Sequence, residues 1–200
     1  MSERRPAVFF DRDGVLNRAF VRDGRPYPPR NLQKLELTPN ARVACDTLRA
    51  AGFVLIVVTN QPEVARGTQS IEVVEEMNLW LQNALRLDAC LVCPHDDVDH
   101  CDCRKPEPGL LTRAAEQYQI DLSASFMIGD RWRDVDAGLK AGCKTIFLDY
   151  EYREQRPKKP DYTCVNLLDA VEWILYVSNI QLENSELENG PHEYALRTEN

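Results

Sequence analysis

The stretch Ala7-Val-Phe-Phe-Asp-Arg-Asp-Gly14 joins an unbroken apolar run to two acidic residues and a glycine. A short apolar run bounded by turn-forming residues is typical of a strand that is buried on both faces of a sheet. Apolar runs of the same kind recur at residues 53–58, 89–92, 125–128, 144–148 and 163–165. We therefore predict that the chain builds one sheet from these runs.

Apolar residues at helical spacing fill the intervals between the runs. They indicate helices at residues 71–84, 110–118, 135–139 and 167–175. A further helix is predicted to have Thr38 as its N-cap and Pro39 as its first residue, and to end before Gly52. Strands that alternate with helices imply βαβ crossovers, so we predict an α/β fold with a mostly parallel sheet. Residues 18–37 have no periodicity, and we expect an irregular segment there.

The composition limits the number of domains and the kind of partner. The chain has 200 residues, a hydrophobic fraction of 44% and a formal net charge of −8. The length predicts one domain, placed over residues 1–178, and the loss of periodicity and excess of Glu after it predict an acidic, weakly ordered tail over residues 179–200. The negative charge argues against nucleic acid as a partner and against a polybasic membrane anchor. No apolar stretch suits a secretion signal or a bilayer span, so we expect a cytoplasmic protein without a membrane partner.

Two carboxylates follow the first predicted strand. Asp11 and Asp13 are separated by one residue, and Gly14 allows the chain to turn tightly after them. One carboxylate can attack a substrate atom while the other protonates the leaving group and later activates water. The alternative is an acidic loop that closes a strand or caps a helix.

More carboxylates follow another predicted strand. Gly129-Asp130 comes directly after residues 125–128, and Asp134 lies about one helical turn further on. Acidic groups that converge at strand ends repel each other unless a cation lies among them, and all-oxygen sites suit Mg²⁺. The alternative is that Asp130 caps a helix and Asp134 is solvated on its surface.

Two polar segments offer contacts to an anionic substrate. Thr59-Asn60-Gln61 follows the run 53–58 and supplies a hydroxyl and two amides for phosphate oxygens. Arg104-Lys105 places adjacent cations before Pro106. Taken alone, the first segment also fits a polar strand end, and the second also fits a solvated surface pair.

Four candidate zinc ligands lie close together in the chain: Cys93, His95, Cys101 and Cys103. Three thiolates and one imidazole suit tetrahedral Zn²⁺, and four protein ligands leave no open position, which predicts a structural zinc. His100 is a rival of His95, and three ordinary thiols beside a loop histidine are the alternative. The other four cysteines lie in strand or helix patterns, where they are predicted to be core residues.

The ordered set Asp11-x-Asp13-Gly14, Thr59, Lys105 and Gly129-Asp130 resembles the four motifs of the haloacid-dehalogenase-like (HAD) phosphohydrolase superfamily. The resemblance covers about residues 7–175. It implies a Rossmannoid three-layer α/β/α fold with a minimal cap. The second aspartate points to phosphoryl transfer rather than dehalogenation.

The zinc loop, residues 93–103, adds a resemblance to particular phosphatases within this superfamily. Cys93-Pro-His95 before Cys101-Asp-Cys-Arg-Lys-Pro106, together with Ala65-Arg-Gly67, resembles the heptose-1,7-bisphosphate 7-phosphatases, near relatives of the histidinol-phosphate phosphatases. This resemblance implies a catalytic Mg²⁺, a structural Zn²⁺, a small phosphorylated substrate of the sugar-bisphosphate kind, and a monomer.

The resemblance also implies roles for individual residues. Asp11 is the nucleophile that forms an aspartyl-phosphate, and Asp13 is the general acid and then the base. Mg²⁺ is held by Asp11, the backbone carbonyl of Asp13 and Asp130, with Asp134 supporting them. The residues expected at the phosphate or the rest of the substrate are Arg12, Thr59, Asn60, Gln61, Arg104, Lys105 and Arg131.

The substrate stays open at this point. Pro62 stands where the heptose enzymes carry a serine, and the gap of five residues between His95 and Cys101 is closer to the histidinol-phosphate phosphatases. Two functions of other classes use similar features. One is a phospho-accepting signalling domain, and the other is a zinc-stabilised interaction module with purely structural carboxylates.

Overall fold

The computed structural model describes residues 4–188. Its strands are β1 (Ala7–Phe10), β2 (Phe20–Arg22), β3 (Arg25–Tyr27), β4 (Val54–Asn60), β5 (Ala89–Cys93), β6 (Phe126–Gly129), β7 (Lys144–Leu148) and β8 (Tyr162–Cys164). Its helices are α1 (Ala41–Ala50), α2 (Ile71–Leu85), α3 (Gly109–Tyr118), α4 (Trp132–Ala141) and α5 (Leu167–Glu188).

Six strands form one parallel sheet in the order β5-β4-β1-β6-β7-β8. The predicted parallel α/β architecture is therefore confirmed. The strand that opens the chain is central, between β4 and β6. The chain moves outward from β1 on one side and then returns to the other side, so three strand ends meet where ligands bind in open α/β sheets.

Helices cover both faces of the sheet. Because side chains alternate along a strand, Val8 and Phe10 face a core shared with α1, α2 and α5, while Ala7 and Phe9 face a core shared with α3 and α4. Every residue of β1 is buried. The unbroken apolar run of the sequence is thus explained by the two apolar layers between which β1 lies.

A small hairpin occupies the segment that was expected to be irregular. Strands β2 and β3 pair antiparallel, and Asp23 and Gly24 between them have φ values of 52° and 76°. Asp-Gly is a favoured pair for such a tight turn because both residues must take positive φ. The prediction for residues 18–37 was wrong in this part, since the Asp-Gly signal was masked by the prolines around it.

The predicted start of α1 was also wrong. The helix begins at Ala41 and its N-cap is Asn40 rather than Thr38. The Thr38 hydroxyl donates to the Val15 carbonyl oxygen at 2.6 Å, so it fastens the loop after β1 instead of capping the helix.

The end of the chain is described only in part. Helix α5 continues to Glu188, so the predicted boundary at residue 178 falls inside a helix. The remainder of the predicted tail, residues 189–200, lies outside the described residues. Among the described helices, none is both long and apolar enough to cross a membrane.

Candidate active site

The carboxyl ends of the three central strands carry the predicted catalytic residues. Asp11 follows β1, Thr59 lies at the end of β4, and Asp130 follows β6. These strands are neighbours in a parallel sheet, so their ends lie at one edge.

Lys105 is the centre of this edge. Its ammonium group contacts Asp11 Oδ1 at 2.6 Å and Asp134 Oδ1 at 2.6 Å, and it donates to the Val58 carbonyl oxygen at 2.7 Å. The Lys105 side chain is 1% exposed. Burial by itself lowers the pKa of Lys105, but Asp11 and Asp134 more than offset that effect, so its net pKa is raised. Lys105 is therefore a buried cation, and not the solvated surface residue of the alternative.

Three carboxylates cluster beside this ammonium group. Ligand oxygens of Asp11, Asp130 and Asp134 all lie within 4.8 Å of one another. Burial raises the pKa of Asp11 to about 6, with Lys105 opposing the shift. Burial, followed by the charges of Asp11 and Asp134, raises the pKa of Asp130 well above its usual value. Burial and the mutual repulsion of these carboxylates thus both disfavour their charged forms, and Lys105 is the cation that contacts Asp11 and Asp134.

The donor set fits a hard divalent cation. Both carboxylate oxygens of Asp130 are buried and accept no hydrogen bond of normal geometry within the described part of the chain. Buried polar atoms are otherwise nearly always paired, so such oxygens point to an absent partner. Asp134 is not solvated as its alternative required, since it is buried and accepts the Arg131 backbone N–H at 3.0 Å.

Glycine backbone lies directly against this cluster. Gly14 has a φ of +95°, and a Cβ there would lie 1.8 Å from Asp130 Oδ2. A Cβ on Gly129 would lie 2.0 Å from the Asp134 Cβ. The two glycines therefore allow the loop after β1 and the start of α4 to bring their carboxylates together.

Asp13 is held apart from the cluster by hydrogen bonds. Its carboxylate accepts from Asn17 Nδ2 at 2.9 Å, from Gln61 Nε2 at 2.7 Å and from the Arg12 guanidinium at 3.0–3.2 Å. Asp13 still lines the cavity in front of Asp11. Two carboxylates with different surroundings thus face one cavity, which suits a division between nucleophile and acid–base residue.

Arg12, Thr59 and Gln61 are not brought to the cavity. All three are buried and absent from its wall. Gln61 Nε2 also donates to the Thr59 hydroxyl at 2.9 Å, which links β4 to Asp13. In the structure these residues contact other protein groups, and the substrate contacts expected from the sequence stay predictions.

Asn60 does line the cavity, and it also positions Lys105. Its Nδ2 donates to the Lys105 carbonyl oxygen at 2.9 Å, and its Oδ1 accepts the Lys105 backbone N–H at 3.0 Å. This paired contact joins the end of β4 to the segment that follows the zinc loop.

The four predicted zinc ligands converge. The three sulfur atoms of Cys93, Cys101 and Cys103 lie 3.2–3.7 Å apart, and His95 Nδ1 lies 3.3 Å from Cys103 Sγ and 3.6 Å from Cys93 Sγ. Ligands about 2.3 Å from a tetrahedral zinc are separated by about 3.8 Å, so the spacing fits that ion. His100 is exposed and is not part of the cluster.

Ion pairs connect the zinc loop to the rim of the cavity. Asp96 accepts from Arg66 Nε at 2.6 Å and Nη2 at 2.8 Å. Asp97 accepts from Arg104 Nε at 2.8 Å and from Arg133 Nη2 at 3.2 Å. The loop carboxylates thus orient three arginines that come from different parts of the chain.

The cavity measures about 280 Å³ and is strongly polar. Arg104 and Arg131, both predicted at the substrate, lie in its wall. Arg131 donates from Nε and Nη2 to Glu154, at 2.8 and 2.7 Å. Wall residues that the sequence analysis did not single out include Arg25, Tyr27, Asp97, Arg133 and Glu154. Only Arg25 had a local signal, since it follows the Asp-Gly turn.

Comparisons with known proteins agree with this geometry. A model of the HAD-hydrolase-like family matches residues 102–170. A protein from Helicobacter pylori (strain J99), named D-glycero-beta-D-manno-heptose-1,7-bisphosphate 7-phosphatase, is 34% identical over 181 residues, which cover 84% of this chain and 96% of that protein. The chain belongs to the HAD-like phosphatase family.

Other relatives support the same family. A protein of the same name from Escherichia coli (strain K12) is 32% identical over 189 residues, which cover 88% of this chain and 91% of that protein. The crystal structure of D,D-heptose 1,7-bisphosphate phosphatase from B. bronchiseptica, complexed with magnesium and phosphate, matches with a TM-score of 0.72 and 27% identity. That match covers 86% of this chain and 98% of the other.

The contact between Gly14 and Asp130 generates a first prediction. Gly14→Ala should lower kcat/KM for a phosphomonoester by about 10²-fold, because the added methyl group displaces the Asp130 carboxylate by about 1 Å or more. Gly52→Ala is the matched control, since Gly52 also has a positive φ, +89°, but nothing within 4 Å of the added Cβ. Steady-state kinetics and thermal melts of both variants make the comparison. Equal activity of the two variants would contradict the prediction.

Proposed function

We propose that the chain is a Mg²⁺-dependent phosphatase that removes the 7-phosphate of a D-glycero-D-manno-heptose 1,7-bisphosphate through an aspartyl-phosphate on Asp11. The observation that carries the reaction type is the meeting of Asp11, Asp13 and Lys105 at one cavity, beside a buried carboxylate cluster that includes Asp130. The substrate rests on the names of the relatives.

The reaction needs little covalent chemistry from the protein. An Asp11 oxygen attacks phosphorus while the bond from phosphorus to the leaving oxygen breaks, and Asp13 gives that oxygen a proton. Asp13 then takes a proton from water, the water oxygen attacks phosphorus, and the bond to Asp11 breaks. Lys105 stays beside Asp11 throughout and stabilises the negative charge that spreads over the phosphoryl oxygens.

A Mg²⁺ would be held by Asp11, Asp130 and the backbone of Asp13, with Asp134 next to them. When bound, it supplies charge neutralisation at the phosphoryl oxygens. The clustered carboxylates and their raised pKa values support this assignment.

The wall of the cavity suits a substrate with a second anionic group. Besides Lys105 at the reacting end, five arginines among residues 4–188 line it: Arg25, Arg66, Arg104, Arg131 and Arg133. Guanidinium groups bind phosphate through two parallel hydrogen bonds, which favours them for the phosphate that does not react. An acidic chain can thus hold an anionic substrate through these guanidinium groups, although carboxylates such as Asp97 and Glu154 line the same wall and pair with some of them.

Histidinol phosphate is the second candidate substrate. Asp97 also lines the cavity and its side chain is 56% exposed, so a carboxylate is available there for an ammonium group. If heptose 1,7-bisphosphate is the substrate, Asp97 only orients Arg104 and Arg133. The two hypotheses differ in the charge of the substrate group that is expected to bind in the cavity besides the reacting phosphate.

A comparison of the two substrates decides between heptose 1,7-bisphosphate and histidinol phosphate. We expect kcat/KM for heptose 1,7-bisphosphate to exceed that for histidinol phosphate at least about tenfold, because each charge-assisted phosphate contact contributes about 1.5–3 kcal/mol. Phosphate release from both compounds is measured on the same preparation. Faster turnover of histidinol phosphate would overturn the heptose assignment and leave the phosphatase chemistry intact.

A variant of Asp13 tests the phosphoryl-enzyme route. Asp13→Asn should lower turnover by about 10²–10⁴-fold, because the acid and base are lost. Phosphate should accumulate on the protein, visible as a mass shift, when a good leaving group is supplied. Asp11→Asn is the control and should carry no phosphate. If wild-type protein retains phosphate as long as Asp13→Asn does, the chain is a phospho-accepting signalling domain instead.

We also propose a structural Zn²⁺ at the cluster of Cys93, His95, Cys101 and Cys103. Elemental analysis should find about one zinc per chain, because four ligands at this spacing form one closed site. Cys103→Ser should lose that metal and most of the activity, since the zinc loop leads directly into Arg104 and Lys105. Cys90→Ser, which lies outside the cluster, should keep both.

The zinc experiment also tests the interaction-module alternative. Bound zinc without phosphatase activity on any small phosphomonoester would favour a zinc-stabilised interaction module, and wild-type protein without zinc would remove the zinc assignment. The monomeric state and the cytoplasmic location stay predictions.

A further inference from the structure

Arg12 is a buried cation that the reaction described above does not use. The residue is 0% exposed, and its guanidinium lies behind Asp13 rather than in the cavity wall. A charged group taken out of water is costly unless it is paired and hydrogen-bonded. The partners of Arg12 therefore indicate what the side chain is for.

One edge of the guanidinium holds Asp13. Arg12 Nε lies 3.2 Å from both Asp13 oxygens, and Nη2 lies 3.0 Å from Oδ2. Such a planar fork fixes the orientation of a carboxylate as well as its distance. The salt bridge joins two neighbours in the chain, so it cannot by itself anchor Asp13 to the rest of the protein.

The anchor comes from α2. Arg12 Nη1 donates to Asn78 Oδ1 at 2.9 Å, across 66 positions of the chain. Asn78 is 5% exposed and lies on the inward face of α2, between the buried residues Met77 and Leu81. An amide at an apolar core position costs free energy unless its polar atoms are satisfied. The hydrogen bond to Arg12 thus accounts for an amide side chain at this buried position of α2.

We propose that Asn78 and Arg12 are positioning residues that hold the Asp13 carboxylate toward the leaving group, with Asn78 as the fixed end of the arrangement. The inference rests on the proposed function, because it needs Asp13 to be the acid and base. It gives Arg12 a role other than the substrate contact expected from the sequence. Asn17 and Gln61 hold the same carboxylate from its other sides.

Loss of this anchor should affect only the steps in which Asp13 moves a proton. Attack of Asp11 on a phosphate ester with an alkoxide leaving group needs the Asp13 proton, whereas p-nitrophenolate leaves without one. Hydrolysis of the aspartyl-phosphate needs Asp13 as base for every substrate. The two steps are separated by comparing an alkyl with an aryl phosphate, since kcat/KM reports formation of the phosphoryl-enzyme.

The test uses Asn78→Leu in the full chain with Mg²⁺. For heptose 1,7-bisphosphate, kcat/KM should fall about 10- to 100-fold. This loss is smaller than the one expected when the general acid itself is removed. For p-nitrophenyl phosphate, kcat/KM should change less than about threefold, while kcat falls and a burst of about one p-nitrophenol per chain precedes slow turnover. Asn78→Asp keeps an oxygen that accepts from Arg12 and should restore most of the activity.

Controls separate positioning from a simple loss of packing. Met77→Ala perturbs the buried face of the same helix and leaves both partners of the Arg12–Asn78 hydrogen bond in the chain, so it should lower the melting temperature without separating the two substrates. If Asn78→Leu loses its cooperative melt, Asn78→Ala removes the amide without adding volume and tests the same contact.

The possible outcomes separate a failure of the positioning role from a failure of the proposed function. An active wild type whose Asn78 variants lose the same factor on both substrates, with no burst, would overturn the positioning role alone. A wild type that hydrolyses neither substrate would overturn the proposed function together with this inference. A loss confined to the alkyl substrate and to dephosphorylation would establish the role.

Discussion

The arrangement of the site depends on one buried ammonium group. Lys105 lies between the carboxylates of Asp11 and Asp134 and also donates to the end of β4, so a single charge connects three segments that are far apart in sequence. Without it, the clustered carboxylates would repel one another in a region from which water is largely excluded. Since one lysine cannot balance three such groups, the negative charge that remains suits a divalent cation, the metal proposed for this cluster.

The position of Lys105 is determined by the loop that precedes it. The cysteine and histidine cluster gathers residues 93–103, and Asn60 fastens the Lys105 backbone to the end of β4. The same loop carries Asp96 and Asp97, which orient arginines at the rim. A segment with few apolar residues of its own thereby contributes Asp97 to the cavity wall, and the proposed zinc would explain why its candidate ligands stand beside Arg104 and Lys105 in the chain.

Much of the fold could be predicted because its signals are local. Strands β1, β4, β6 and β7 contain apolar runs of the length that a doubly buried strand requires, and Lys144–Leu148 was predicted to the residue. The errors have physical causes. Thr38 resembles an N-cap, but a tertiary hydrogen bond to the loop after β1 takes its hydroxyl, and the β2–β3 turn was obscured by prolines that break the strand pattern.

The sequence by itself determined the parallel α/β fold, the carboxylates at the strand ends and the four candidate zinc ligands, because these depend on spacing along the chain. Only the tertiary structure decided which polar residues face the cavity and which lie behind it. Arg12 and Gln61 are as polar in the sequence as Arg104, yet they are buried against Asp13, while Arg25 and Arg133 reach the cavity wall. Burial and pairing arise from contacts between distant segments, as between Arg12 and Asn78, and no local pattern specifies such contacts.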